Sequence, residues 1–151
     1  FAKNARTSTV AVYPVRVSGK DDASVAEQLS AMLTEAGFAQ AKAVAADVRF
    51  EIQPSTNQTR ILWDMARLLQ DSLRKHPPEA DYVLLANYGI GRLPDGKIIV
   101  GGVEVIVCDR NGDWVLVELR NNHHADFQRI NPQSPDDCNL LVIEMLKKAR
   151  Q

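Results

Sequence analysis

Apolar residues recur at every second position along Val103–Leu119. Val103, Val105 and Val107 lie on one side of an Arg110-Asn111-Gly112 stretch, and Val115, Val117 and Leu119 on the other. A period of two marks a strand with one buried face, so the segment reads as a β-hairpin. A three-residue loop with Gly112 in the left-handed conformation would put all six residues on one face. A two-residue Asn-Gly turn would instead set Val105 against Glu118 and Val103 against Arg120. The pattern therefore predicts the three-residue loop and a six-residue apolar face. The opposite face sets Glu104, Ile106 and Cys108 against Trp114, Leu116 and Glu118, and is apolar near the turn. That face is the expected seat of the last helix.

The rest of the chain supplies layers for such a hairpin. Thr9–Val17 (TVAVYPVRV) is β-branched and apolar, a first strand in which Pro14 implies an edge, a bulge or an end. Ser24 to Glu27 has capping-box spacing; Val25, Leu29, Met32, Leu33 and Ala36 follow on one helical face, and Gly37 provides the stop. Ala39–Gln53 is rich in alanine, yet Val48, Phe50 and Ile52 alternate, which predicts a strand over Val48–Ile52. A second helix is predicted from about Asn57 to Lys75, ended by Pro77-Pro78. Tyr82–Asn87 reads as a strand buried on both faces, Gly89–Gly96 as a loop and Asn121–Pro132 as a polar loop. Ser134-Pro135-Asp136-Asp137 caps a last helix whose buried face carries Cys138, Leu141, Val142, Met145 and Leu146. The sum is an α/β (α+β) fold, a three-layer-like single domain over 9–151 behind a polar tail at 1–8. It has a mixed β-sheet, three main helices and the order β-α-β-α-β-β-β-α.

Composition narrows the function classes. The chain has 151 residues, 45% hydrophobic and 25% charged, with 18 basic and 19 acidic side chains. A domain of that size buries roughly 70% of its unfolded surface without a staple. With a net charge of −1 there is no basic excess to suggest nucleic acid as a partner. No apolar run reaches the length of a spanning helix. The chain opens at Phe1 rather than Met, which reads as a processed form or an expressed piece, with any targeting segment or membrane anchor upstream.

Motifs that carry chemistry are sparse. Gly89-Ile90-Gly91 follows a strand but lacks the third glycine and the following helix of a phosphate-binding loop. Asp109-Arg110-Asn111-Gly112-Asp113 spaces oxygens like the start of a calcium loop, but the sixth and twelfth positions hold Trp114 and Arg120, so it reads as a turn. His123, His124 and Asp126 form the one cluster of metal or acid–base character, without a third ligand at matching spacing. No metal or cofactor is therefore expected. Cys108 and Cys138 fit either one disulfide, should the last helix pack on the hairpin, or two buried thiols. Trp63 lies far round from the buried stripe of the second helix, beside Arg60, Arg67 and Arg74. An exposed tryptophan among arginines has the composition of an interface anchor. Packing under a stacked Arg67 or under the N-terminal segment is the bland alternative.

The strand TVAVYPVRV, the helix SVAEQLSAMLTEAGF, the strand ADYVLLANY and the hairpin VEVIVCDRNGDWVLVELR come in a telling order. Together they resemble the envelope-associated α/β domains of the curli-secretion lipoprotein (CsgG) and TolB amino-terminal type. Val10–Val15, Leu29–Gly37, Ala80–Ala86 and Asp109–Gly112 match in type, while Asn87 stands where that family usually has glycine. The resemblance implies a non-catalytic domain of a bacterial envelope protein or lipoprotein, periplasmic or otherwise extracytoplasmic. A protein partner or homo-oligomer is then expected, with Trp63 as first contact. The competing expectation is a small-ligand-binding domain or hydrolase-like enzyme using loops 89–96 and 121–126, with Gly89, Gly91, His123, His124 and Asp126 as its residues.

Overall fold

The computed structural model describes residues 7–38, 40–45 and 56–150. The chain runs through strands β1 (Thr9–Val12), β2 (Val15–Val17) and β3 (Lys20–Asp22), helix α1 (Ala23–Glu35) and strand β4 (Gln40–Ala43). Helix α2 (Gln58–Lys75), strands β5 (Tyr82–Arg92), β6 (Ile98–Asp109) and β7 (Trp114–Arg120), and helices α3 (Ala125–Ile130) and α4 (Pro135–Arg150) follow. Among the described residues the seven strands make one mixed sheet.

The strand predicted to be buried on both faces is the middle of that sheet. β1 lies parallel to β5 at Tyr82–Leu84, and β2 lies parallel to the same edge at Asn87 and Tyr88. β6 runs antiparallel along the other edge and carries β7 outside it; β4 lies outside β1. The expected first strand is thus split at Pro14, which has no N–H to give a ladder. The strand β3 that follows was not foreseen; Ser18 and Gly19, with φ of 55° and 79°, turn the chain back to make it. The strand expected over Val48–Ile52 lies outside the described residues.

Side chains alternate across the sheet and define two cores. Leu84, Ala86 and Tyr88 face α1, α3 and α4, together with Val103, Val105 and Val107. Val83 and Leu85, with Ile106 and Cys108, face α2. The cap of α1 is Asp22 rather than Ser24, its carboxylate accepting from the N–H groups of Ser24 and Val25 at 3.1 Å each. Gly37 ends that helix as expected, at φ 74°.

The β6–β7 hairpin keeps the predicted loop and overturns the predicted register. Asp109 and Asp113 close a three-residue loop through a 2.9 Å backbone bond, with Gly112 at φ 84°. Yet Val105 pairs with Glu118 and Val103 with Arg120, because the register shifts between Val107–Leu116 and Cys108–Trp114. Val115 is the extra residue, a β-bulge, and it is 41% exposed. The cause is Trp114, whose indole N–H donates to the Ala66 carbonyl of α2 at 3.1 Å. That bond holds Trp114 on the α2 side, and the bulge then sends Val117 and Leu119 to the same side. So α2, not the last helix, covers Cys108.

In the α4 core the buried Tyr88 hydroxyl donates to Oδ1 of Asn139. Nδ2 of Asn139 has no partner among the described residues. Tyr88→Phe leaves Asn139 with neither end paired and is expected to cost about 1–2 kcal/mol in urea unfolding. Tyr88→Phe with Asn139→Leu replaces both partners by apolar groups and should regain most of that loss.

Candidate functional site

Beyond Tyr88, β5 pairs among the described residues only with β6, so Gly89–Arg92 and Ile98–Gly102 form a two-stranded arm. The loop expected over 89–96 is accordingly much shorter. Gly89, Gly91 and Arg92 are strand residues, and only 93–97 turn, closed by the Leu93 N–H on the Lys97 carbonyl at 2.8 Å. Glycines read as breakers, yet here the opposing strand supplies the ladder that their lost propensity does not. Gly101 is an extra residue on β6, opposite the step from Gly89 to Ile90.

On the α2 side this arm floors a groove of about 700 Å³. Gly89, Gly91 and Gly101 are the floor; Ile61 and Met65 of α2, with Leu93 and Ile99 of the arm, supply apolar walls. Arg16 and Arg92 are the charged residues that border it. A Cβ on Gly91 would meet nothing within 4 Å, and one on Gly89 would make only ordinary contact, 3.6 Å from the Gly102 carbonyl. Gly102 differs: a Cβ there would come within 3.0 Å of Nε2 of Gln58. That same nitrogen donates to the Gly101 carbonyl at 3.2 Å, while Oε1 of Gln58 accepts from Asn121. Toward the sheet centre the groove meets Asn87, whose amide donates to Glu104 at 3.1 Å. Glu104 is only 6% exposed, and burial raises its carboxyl above the usual value despite the Asn87 bond.

The other residues singled out from the sequence are placed elsewhere. His123 is exposed, and His124, at the start of α3, accepts the Asn121 N–H on Nδ1 at 3.1 Å. Neither histidine, nor Asp126, lines the groove. Asp126 turns away to Arg120 at 3.0 Å and Lys148 at 3.3 Å, with its side chain 2% exposed. The segment expected as a polar loop over 121–132 thus contains the short helix α3, docked by Phe127 on the core. No group of three His, Cys, Asp or Glu among the described residues could hold a metal ion.

Trp63 is half-buried, not an open anchor. Its ring packs edge-on against Trp114, with centroids 5.2 Å apart at 75°. Neither of the two expected covers is its described ring partner. Arg60 and Arg67 both pair with Asp64, at 4.0 and 3.1 Å, and Arg74 reaches Asp113 of the hairpin at 3.3 Å. Cys108 and Cys138 are free thiols in opposite cores, separated by the sheet, so the disulfide alternative falls.

No family model matches the chain, and no curated protein matches it. Solved structures do resemble it in fold. A PelC dodecamer from Paraburkholderia phytofirmans is 19% identical over 76% of this chain and 68% of that one, with a TM-score of 0.40. A PelC variant of the same organism, also a dodecamer, gives 17%, 76%, 69% and 0.42. Lipoprotein GNA1162 from Neisseria meningitidis is 16% identical over 93% of this chain and 95% of that one, with a TM-score of 0.40. The neighbours are bacterial, and one is a lipoprotein. At such scores the likeness carries nothing about what this chain binds or assembles with. No helix among the described residues is long and apolar enough to cross a membrane.

Two outcomes follow from the charges and thiols. Burial alone would raise the Asp126 carboxyl, but hydrogen bonds from Arg120 and Lys148 outweigh it and hold the group below 3.8. Ionised Asp126 therefore stabilises the fold above that unfolded-state value, and the contribution is lost as pH falls through the lower folded value. Asp126→Asn should cost about 3 kcal/mol at neutral pH and flatten the acid limb of a stability–pH curve. Burial pushes both thiols up to about 12, helped by Asp109 and Asp113 at Cys108 and by Asp137 at Cys138. Neither should react with a thiol reagent in the native state at pH 8, and both should react together on unfolding.

Proposed function

We propose that this chain is a non-catalytic accessory domain of a bacterial envelope protein or lipoprotein, and that it works by binding at the groove beside the β5–β6 arm. The envelope setting, outside the cytoplasm, rests on the sequence resemblance to the curli-secretion lipoprotein and TolB amino-terminal domains. The binding reading rests on Gly89 and Gly91. Neither has a positive φ, and neither is forced by a clash that a Cβ would make. A strand glycine costs about 0.5–1 kcal/mol relative to alanine, and nothing inside the fold requires that loss at these two positions. Its consequence is an open apolar floor beside Leu93 and Ile99, which are 40% and 44% exposed. The volume lies within the range of small-ligand sites.

Trp63 is the weaker candidate, since its ring is already engaged by Trp114. The enzyme alternative has little support, because no residue of 121–126 lines the groove and Asp126 is held by Arg120 and Lys148.

Gly91→Leu fills the groove without meeting the backbone, so the thermal midpoint should stay close to that of the parent. A photo-cross-linker at Ile99 in the full-length protein should label an envelope component, and Gly91→Leu should abolish the label while Trp63→Ala leaves it. Recovery of the protein in the cytosolic fraction would overturn the envelope setting. Labelling indifferent to Gly91→Leu would overturn the groove. A label that joins two copies of the chain would make the occupant a homo-oligomer contact.

A further inference from the structure

We infer that Asn111 is a modification site, the point where this chain deamidates through a cyclic imide, and that helix α2 gates it by holding the β6–β7 loop shut. Asn111 is the one asparagine of the chain followed by glycine. It is exposed at the tip of the hairpin, where water reaches it. Glycine as the next residue has no Cβ to shield its amide or to restrict the approach of that amide to the asparagine side chain.

The chemistry needs only this dipeptide and water. The Gly112 amide gives its proton to a base in solvent, and its nitrogen bonds to Cγ of Asn111. The Cγ–Nδ2 bond breaks, and the side-chain nitrogen takes a proton from water and leaves as ammonia. Water then opens the imide on one side of its nitrogen. Opening at Cγ gives aspartate; opening at the main-chain carbonyl gives isoaspartate, in which the main chain runs through Cβ.

The folded loop opposes the first of these steps. The Gly112 N–H donates to the Asp109 carbonyl at 3.0 Å and Gly112 is buried, so the proton that must leave is engaged and away from solvent base. The Asp109 carboxylate accepts from the N–H groups on either side, Asn111 at 2.9 Å and Asp113 at 3.0 Å. Its negative charge disfavours a second anion at the amide between them.

The gate is what holds the loop in that shape. Gln70 of α2 donates to the Gly112 carbonyl at 2.9 Å, and Arg74 reaches Asp113 at 3.3 Å. The helix lies so close that a Cβ on Gly112 would come within 3.1 Å of Cγ of Arg74 and 3.2 Å of the Gln70 carbonyl. On the other flank Arg110 donates to the Glu79 carbonyl at 2.7 Å and pairs with Asp81 at 3.1 Å. The imide nitrogen carries no hydrogen, so the reaction forfeits the bond to Asp109 and waits for the loop to open. Isoaspartate also lengthens the main chain between Asp109 and Asp113, whose backbone bond closes the loop. A converted loop therefore refits its seat on α2 poorly, and Asn111 records opening in one direction.

The test incubates the folded chain at mildly alkaline pH and reads aspartate and isoaspartate at position 111 by peptide mapping. A linear peptide of residues 108–116 is the open reference, and hydrogen exchange reports the Gly112 amide. Folded Asn111 should convert about tenfold or more slowly than the peptide, in step with the protection of the Gly112 amide. Gln70→Ala removes one hydrogen bond from the gate and should speed conversion about two- to tenfold, lowering Gly112 protection by the same factor. Tyr88→Phe, which weakens the fold far from the loop, should leave the rate unchanged, because local opening is more frequent than global unfolding. Folded Asn111 converting as fast as the peptide would overturn the gate. Gln70→Ala without effect, or Tyr88→Phe with the same effect, would overturn the part of α2. Asn111 intact in the parent and in Gln70→Ala after the peptide has fully converted would overturn the site itself.

Discussion

The backbone of β5 is engaged on both edges while its side chains are buried on both faces, and every other element is placed by that constraint. Val83, Leu84 and Leu85 are each at most 2% exposed, so each contributes about 1.5–3 kcal/mol of burial. Val83 and Leu85 require a cover on one face and Leu84 on the other. One helix cannot serve both, so α2 takes one side and α1 with α4 the other. The two strands that share one edge of β5 follow from the same demand. Pro14 interrupts the ladder, but Tyr13 still donates to the Leu84 carbonyl at 3.0 Å, and β2 resumes pairing at Asn87.

Helix α2 acts as a clamp along the hairpin that extends the sheet. At its start Gln58 ties the Gly101 carbonyl to Asn121; at its middle Trp63 and Ala66 take Trp114; near its end Gln70 donates to the Gly112 carbonyl at 2.9 Å and Arg74 reaches Asp113. These contacts span the hairpin from its loop to the segment beyond β7. The bulge at Val115 is their geometric consequence, since without the extra residue Trp114 would point to the α4 side. The exposed ion pairs on this helix add little, because solvent screens them; the aromatic and backbone contacts fix the register.

Much of this was legible where pattern and local chemistry agree. The second helix begins and ends within a residue of its expected limits, because Asn57 caps it and Pro77-Pro78 stops it. The three-residue loop at Arg110–Gly112 was readable from the left-handed preference of glycine. The register was not, since a bulge is set by what Trp114 meets on α2, and its partner Ala66 is 48 residues upstream in sequence. Reading Trp63 as exposed failed for the same reason. Helical spacing placed it off the main stripe correctly, but its partner comes from a strand whose position the helix alone does not reveal. Gly89 and Gly91 misled in the opposite direction. Their local preference is for a turn, and only the twelve-residue strand β6 beside them keeps them extended. The groove was therefore invisible as a groove, although both of its central residues had been singled out.

The groups with displaced proton affinities sharpen the distinction between binding and catalysis. In an active site such groups face a cavity, where burial and a nearby charge prepare them for proton transfer. Here the Tyr88 hydroxyl is committed to Asn139, Asp126 to Arg120 and Lys148, and the two thiols to opposite cores. Each displacement is explained by packing: Tyr88 borders the groove but its hydroxyl is turned to Asn139, and Glu104 reaches the groove only through Asn87. The groove itself presents arginine, aliphatic carbon and bare backbone. On the proposed reading those groups would hold a ligand by charge and dispersion. Strand glycines are a stability loss accepted at one place in an otherwise well-packed sheet, and that place is where the surface chemistry is suited to holding something else.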